Sequence, residues 1–226
     1  ITNNNNQLKC LSNVCTHRGH IVSLCQNKSN VLQCRYHGRS FKLDGTLKHA
    51  PGFQGALDFP TLDDNLDEIP MSEWNNFLFI SLNPDMAIND QLKQIDKILP
   101  NFPYNELIIP PKTEEYIINC HWSLYCDNYL EGFHIPYVHP GLNDDIDWQE
   151  YQIKILDKIV LQLAKSKNLD TSIDYDGNQN VYAYYFFIFP NIMINYYEWG
   201  ISINVVEPIS EEKTRIKYMT YPIKGK

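Results

Sequence analysis

Two short stretches, Cys15-Thr16-His17 and Cys34-Arg35-Tyr36-His37, stand sixteen residues apart, and each offers one thiol and one imidazole. A [2Fe-2S] cluster has two irons, each needing two protein ligands, so Cys15, Cys34, His17 and His37 could supply one iron with two thiolates and the other with two imidazoles. Each histidine is followed within two positions by a glycine, Gly19 and Gly38, which would let backbone N–H groups come close to the sulfides. A Cys2His2 zinc site uses the same ligand types. Zinc sites, however, usually pair Cys with Cys and His with His along the chain, so the mixed loops favour the cluster. Cys10, Cys25, Cys120 and Cys126 have no such partners and read as ordinary buried thiols.

A second group follows further along. In a helix expected over Trp122 to His134, the positions Trp122, Tyr125, Cys126, Tyr129, Leu130 and Phe133 form one apolar face. Asp127, Glu131 and His134 fall within roughly 60° of one another on a second, ionisable stripe. Pro136 predicts the end of the helix near His134. On an unbroken helix His139 would point about 140° away from His134; past a break it can turn back. Two imidazoles and a carboxylate with open positions make the facial triad of non-heme Fe(II) sites that activate O2. Taken alone, Glu131 and His134 also read as a solvated i,i+3 pair, and His139 as a loop residue.

The elements that must position these groups divide the chain in three. Residues 1–83 alternate short apolar runs with turn signals such as Asp44-Gly45 and Pro51-Gly52 and read as all-β. Residues 84–111 carry Pro84, Pro100, Pro103, Pro110 and Pro111 and read as a surface linker, with one short helix from Gln91 to Leu99. Residues 112–226 combine the helix over 122–134 with strand candidates at 115–120, 151–165, 181–189, 192–206 and 213–223. One helix against a large antiparallel sheet gives the class α+β. Tyr182, Tyr184, Tyr185, Tyr196, Tyr197 and Trp199 could form a cage for a quaternary ammonium group, although aromatic residues in strands are far more often core.

Composition narrows the partners. The 226 residues carry 19 basic and 27 acidic side chains, a net charge of −8, and are 43% hydrophobic, enough for a packed core. The acidic balance argues against nucleic acid or an anionic membrane as a partner. The longest apolar run, residues 181–189, is about half a membrane span. Six cysteines are too sparse for a disulfide scaffold, so a reducing, cytoplasmic setting is expected. The start, Ile1-Thr2 followed by Asn3 to Asn6, has neither an initiator Met nor the layout of a signal peptide and reads as that of a fragment.

Cys15-Thr-His-Arg-Gly19 and Cys34-Arg-Tyr-His-Gly-Arg-Ser-Phe41, with Asp44-Gly45 after them, resemble the Rieske motif of non-heme iron oxygenases. Rieske proteins of respiratory complexes carry an extra cysteine in each loop and a serine after the second His-Gly. Here His20, Tyr36 and Arg39 stand at those places, which implies the lower-potential oxygenase cluster. The segment Asp127-Asn-Tyr-Leu-Glu-Gly-Phe-His-Ile-Pro-Tyr-Val-His-Pro140 resembles the catalytic-helix motif of ring-hydroxylating oxygenase α subunits, and Glu131, where dioxygenases typically have Asp, is similar to the choline and carnitine monooxygenase type.

The resemblance implies an N-terminal Rieske domain followed by a partial helix-grip (Bet v1-like) catalytic domain. It implies mono- or dioxygenation of an organic substrate, aromatic or quaternary ammonium, with O2 as co-substrate. His134 and His139 would ligate a mononuclear Fe(II), with Asp127, Asn128 and Glu131 as the catalytic group around it. A ferredoxin or flavin reductase would donate electrons, and in a homotrimer Glu131 would bridge the cluster histidine of one subunit to an iron ligand of its neighbour. The third iron ligand in the family is an Asp or Glu on a C-terminal helix, expected here beyond Lys226, since Glu198, Glu207 and Glu211 lie in strand-like sequence. The rival reading is a ferredoxin-like electron carrier without catalysis, which has no use for Glu131, His134 and His139.

Overall fold

The computed structural model describes residues 1–4, 6–26, 28–84, 88–168, 173 and 180–226. Asn5 of the asparagine run and positions 85–87 of the expected linker lie outside them. The chain divides into two compact units, Ile1–Ile88 and Asn89–Lys226.

The first unit is all-β, as its turn-punctuated sequence indicates. Its strands are β1 (Thr2–Asn4), β2 (Gln7–Leu11), β3 (Leu32–Gln33), β4 (Ser40–Phe41), β5 (Leu47–His49), β6 (Glu68–Ile69), β7 (Met71–Trp74) and β8 (Phe77–Ile80). They form small antiparallel sheets in the orders β1-β2-β6 and β3-β4-β5, and a β7-β8 hairpin. Asn75 and Asn76 both take positive φ at the tip of that hairpin, the backbone that lets a two-residue turn follow the strand twist. The core of the unit is Val22, Phe41 and Leu66, and the thiols of Cys15 and Cys34 are part of it.

Among its described residues the second unit is a seven-stranded antiparallel sheet with helices, in agreement with the α+β class. Its strands are β9 (Lys112–Ile118), β10 (Ile146–Leu156), β11 (Ile159–Ser166), β12 (Val181–Ile188), β13 (Ile192–Tyr197), β14 (Gly200–Ser210) and β15 (Lys213–Pro222), and its helices are α1 (Ile88–Ile98), α2 (Trp122–Tyr129), α3 (Ile135–Val138) and α4 (Pro140–Asp145). The order is β10-β11-β12-β13-β14-β15-β9, so each hairpin pairs with the next and the last strand returns to the first. The stretch expected as a linker carries α1, whose Leu92 and Ile95 are wholly buried.

Period-two alternation gives the sheet two apolar faces. Tyr184, Phe186 and Tyr196 pack on one, where Phe102 lies 4.9 Å from the Tyr196 ring and the Tyr104 and Tyr196 hydroxyls are 2.6 Å apart. Phe187, Met193, Val206 and Ile216 face the other way, against Cys126, Tyr129 and Leu130 of the α2 segment. The six aromatics considered for a cage are therefore divided, because Tyr184 and Tyr196 cannot share a pocket with Tyr185 and Tyr197. A bulge near Ala164 leaves Tyr182 outside the register and packs it beside Tyr185, Trp148 and Tyr151.

Helix α2 is shorter than expected. It ends at Tyr129, not near His134, and Pro136 does not stop it but lies in the first turn of α3. Three interactions end α2 early. Leu130 closes its last turn, Gln162 of β11 donates its side-chain N–H to the Tyr129 carbonyl, and the Glu131 carboxylate takes the backbone N–H groups of Phe133 and His134. Those two donors are thereby withdrawn from any continuing helix. Gly132 sits in the break because a Cβ there would come within 2.8 Å of Trp148 and 3.0 Å of Tyr151.

Candidate metal centres

The two Cys/His loops are built alike. The N–H of Cys15 donates to the His20 carbonyl (2.8 Å) and that of Gly19 to the Cys15 carbonyl (2.9 Å). In the second loop Cys34 N–H donates to the Arg39 carbonyl (2.9 Å) and Gly38 N–H to the Cys34 carbonyl (3.1 Å). Both glycines lie four residues after their cysteine and both have positive φ, 66° and 77°, the left-handed backbone that favours glycine. The spacing that matters is thus Cys to Gly, identical in the two loops, while the histidine sits one position later in the second.

This folding sorts the donors. Cys15 and Cys34 are 3% and 2% exposed and close enough to hydrogen-bond each other. The His17 and His37 rings lie nearer the surface with centroids 4.8 Å apart. Burial pushes the Cys15 thiol up and the His17 imidazole down, so neither group favours bearing charge alone. A buried thiol pair beneath an outer imidazole pair is the donor set of a two-iron cluster with mixed ligation, and the residues fit it. Among the described residues no three His, Cys, Asp or Glu side chains converge on a point that could hold a single ion. The rings of His20 and Tyr36, at the places where the respiratory type has its extra cysteines, lie 5.5 Å apart and tilted by 50°.

Arg39 is a residue whose role the sequence did not reveal. Its side chain is buried, at 6% exposure, and bonds across to Thr16 Oγ1 (3.3 Å) and Asp64 Oδ1 (3.0 Å). Backbone donation from Thr61, followed by the Arg39 guanidinium, holds the Asp64 carboxyl below its ordinary value against the effect of burial. Partners 23 and 25 residues away leave no local pattern.

In the second unit, His134 and His139 flank the short α3, with ring centroids 5.2 Å apart and planes at 75°. Glu131 bonds to His134 Nδ1, and Asn128 Nδ2 lies 3.4 Å from the same nitrogen. Burial works against the Glu131 carboxylate, but the His134 ring and the Phe133 N–H outweigh it and lower its pKa. Asp127 contributes its backbone carbonyl to the cap of α2. Because α2 ends at Tyr129, Asp127, Glu131 and His134 do not form a helical stripe; Glu131 reaches His134 across a turn. Of the other carboxylates considered, Glu207 is tied to Lys217 (2.8 Å) and Arg215 (3.2 Å), and Glu198 to Lys226 (2.7 Å).

Polar side chains continue beneath this turn. Tyr129 donates to Asn195 Oδ1 (2.6 Å), Asn195 to Ser202 (3.0 Å), and Tyr151 to Gln162 (3.0 Å). The Tyr197 ring stacks on Trp199 at 5.0 Å and meets Tyr185 edge-on at 6.0 Å. Elsewhere Cys10 and Cys126 are buried, as expected, but Cys25 is exposed and Cys120 partly so, because both lie in turns or loops. His121 caps α2, its ring accepting the Ser123 N–H at 3.3 Å.

A Rieske-type unit followed by a helix-and-sheet unit with paired histidines defines an oxygenase α-subunit architecture. Residues 1–63 match the Rieske [2Fe-2S] domain and residues 106–224 the ring hydroxylating alpha subunit (catalytic domain), and the chain belongs to this ring-hydroxylating α-subunit family. Its relatives include the choline monooxygenase of Arabidopsis thaliana, 26% identical over 95% of this chain and 53% of the relative. The carnitine monooxygenase oxygenase subunit of Escherichia coli is 29% identical over 95% of this chain and 59% of the relative. Among solved structures, the quaternary ammonium Rieske monooxygenase CntA superposes with a TM-score of 0.80 at 23% identity, over 98% of this chain and 61% of that one. A naphthalene 1,2-dioxygenase from Rhodococcus shares the fold at a TM-score of 0.77 and 16% identity, over 99% of this chain and 62% of that one. The chain spans between half and two thirds of the length of these relatives. Among the described residues no helix is long and apolar enough to cross a membrane.

Proposed function

We propose that the protein is the oxygenase component of a Rieske non-heme iron system, hydroxylating a small organic substrate with O2. When bound, a [2Fe-2S] cluster supplies one-electron transfer and a mononuclear Fe(II) supplies O2 activation. Cys15 and Cys34 would hold one iron of the cluster, and His17 and His37 the other. His134 and His139 would hold the mononuclear iron together with a carboxylate outside the pair described above. Because Glu131 occupies Nδ1 of His134, that ring is oriented to offer Nε2 as its metal-binding nitrogen.

The observation that carries this reading is the coexistence, in one chain, of the paired Cys/His loops and of a carboxylate-anchored histidine pair. An electron carrier needs only the first. Glu131 keeps its charge at neutral pH beside His134, and the family resemblance makes it the link between cluster and iron in neighbouring subunits of a homotrimer. Asn128 steadies the same ring, and Asp127 lies in the last turn of α2, four residues before Glu131. A ferredoxin or flavin reductase, in the cytoplasm, would supply the electrons.

A quaternary ammonium substrate is supported over an aromatic one by the names of the relatives and by the aromatic surfaces of Tyr185, Tyr197 and Trp199, whose π faces attract a methylated cation. The test is turnover of the full-length protein with a reductase on choline- or carnitine-like substrates and on simple arenes. Hydroxylation or cleavage of the quaternary ammonium compounds with O2 uptake is expected; cluster reduction without any O2-dependent product would leave an electron carrier.

A further inference from the structure

We propose that Arg39 is a fixed positive charge set against the cluster loops, with Asp64 as its incomplete counter-ion, and that this pair sets the reduction potential of the cluster. The inference rests on the cluster assignment above. The Arg39 carbonyl closes the second loop by accepting the Cys34 N–H (2.9 Å), while its side chain crosses to the first loop and donates to Thr16 Oγ1 (3.3 Å), between Cys15 and His17. One residue therefore touches both ligand-bearing loops. Its guanidinium carbon lies 5.2 Å from the ring centre of Phe53 and 5.5 Å from that of Phe59, and the Phe53 ring in turn meets His17 edge-on at 6.1 Å.

Compensation of this charge is partial. Nη1 meets Asp64 Oδ1 at 3.0 Å, but the buried Nε–H has no hydrogen-bond partner. The other Asp64 oxygen is turned away to the Thr61 backbone N–H at 2.9 Å, so the carboxylate charge is shared with a cap. Thr16 Oγ1 donates to the Asp64 carbonyl (2.8 Å), which fixes the group against the first loop. One-electron reduction adds a negative charge to the cluster. A nearby positive charge at low exposure favours that charge, and a negative one opposes it.

The sign of the effect separates an electrostatic role from a structural one. The measurement is a mediated redox titration of the anaerobically reconstituted chain, followed by EPR, on wild type, Arg39→Gln, Arg39→Lys and Asp64→Asn. Arg39→Gln is expected to lower the reduced-to-oxidised ratio at a fixed poise by roughly tenfold, about 59 mV for a one-electron couple. Asp64→Asn is expected to raise it, and Arg39→Lys to stay near wild type. Shifts of the same sign in Arg39→Gln and Asp64→Asn, or no shift with the cluster retained, would overturn the proposal. If Arg39→Gln fails to hold a cluster, Asp64→Asn decides alone: an unchanged or lowered potential refutes the electrostatic role. Wild-type chain without any mixed-ligand EPR signal would instead refute the cluster assignment.

Discussion

The Glu131 carboxylate and the His134 ring are joined through Nδ1 by a carboxylate that also takes the backbone N–H groups of Phe133 and His134. One side chain thus helps to end α2, fixes the orientation of a candidate iron ligand and keeps a negative charge beside it. The acid has three tasks, and the neutral amide of the same size can do part of the first two and none of the third.

Glu131→Gln in the full-length protein is accordingly expected to keep both iron centres and to lose turnover by roughly 100-fold or more. Stopped-flow mixing of reduced enzyme with substrate and O2 should show the cluster remaining reduced. Reoxidation at the wild-type rate with product formed would make Glu131 a purely structural acid.

The break after Tyr129 is expected to be intolerant of filling. Gly132→Ala forces a Cβ to within 2.8 Å of the Trp148 ring and should cost about 1–3 kcal/mol, read as a fall in the thermal midpoint of the second unit. Gln162→Leu, which strands the Tyr129 carbonyl and the Tyr151 hydroxyl, should cost a similar amount. An unchanged midpoint in both variants would mean that the turn is not held as described.

These features explain what could be read beforehand. The two matching Cys/His turns were legible because each is five residues of local sequence, and the sheet because alternation and turn residues recur along its strands. The early end of α2 was not, since Gln162, which takes its last carbonyl, lies 33 residues further on. Pro136 signals a stop in the sequence, but Pro is equally at home in a first turn, and here it opens α3. The bulge at Tyr182 and the Arg39–Asp64 pair likewise depend on contacts between distant segments.

Asp64 gives a pH dependence with a defined sign. Its folded pKa is depressed below the ordinary 3.8, so its contribution is fully present above that value and lost as pH falls through the folded pKa. Asp64→Asn leaves the buried Arg39 without its counter-charge and should destabilise the first unit by about 2 kcal/mol at pH 7. Denaturant unfolding of the two proteins should converge as pH is lowered below about 4. A gap that persists at low pH would assign the loss to packing.

Among the described residues no carboxylate converges with His134 and His139 as a third ligand, and two imidazoles alone hold Fe(II) weakly. The 226-residue chain is therefore expected to retain close to two irons after chelation of loosely held metal, and not to turn over. Three retained irons with substrate-dependent O2 uptake would show that the third ligand lies between His139 and Lys226.

The most direct test of the account is metal and sulfide analysis of the anaerobically purified chain together with EPR of its reduced form. Acid-labile sulfide equal to iron is expected, with a signal whose average g lies below that of all-cysteine clusters and which is lost in Cys34→Ser. Stoichiometric zinc without sulfide would contradict it.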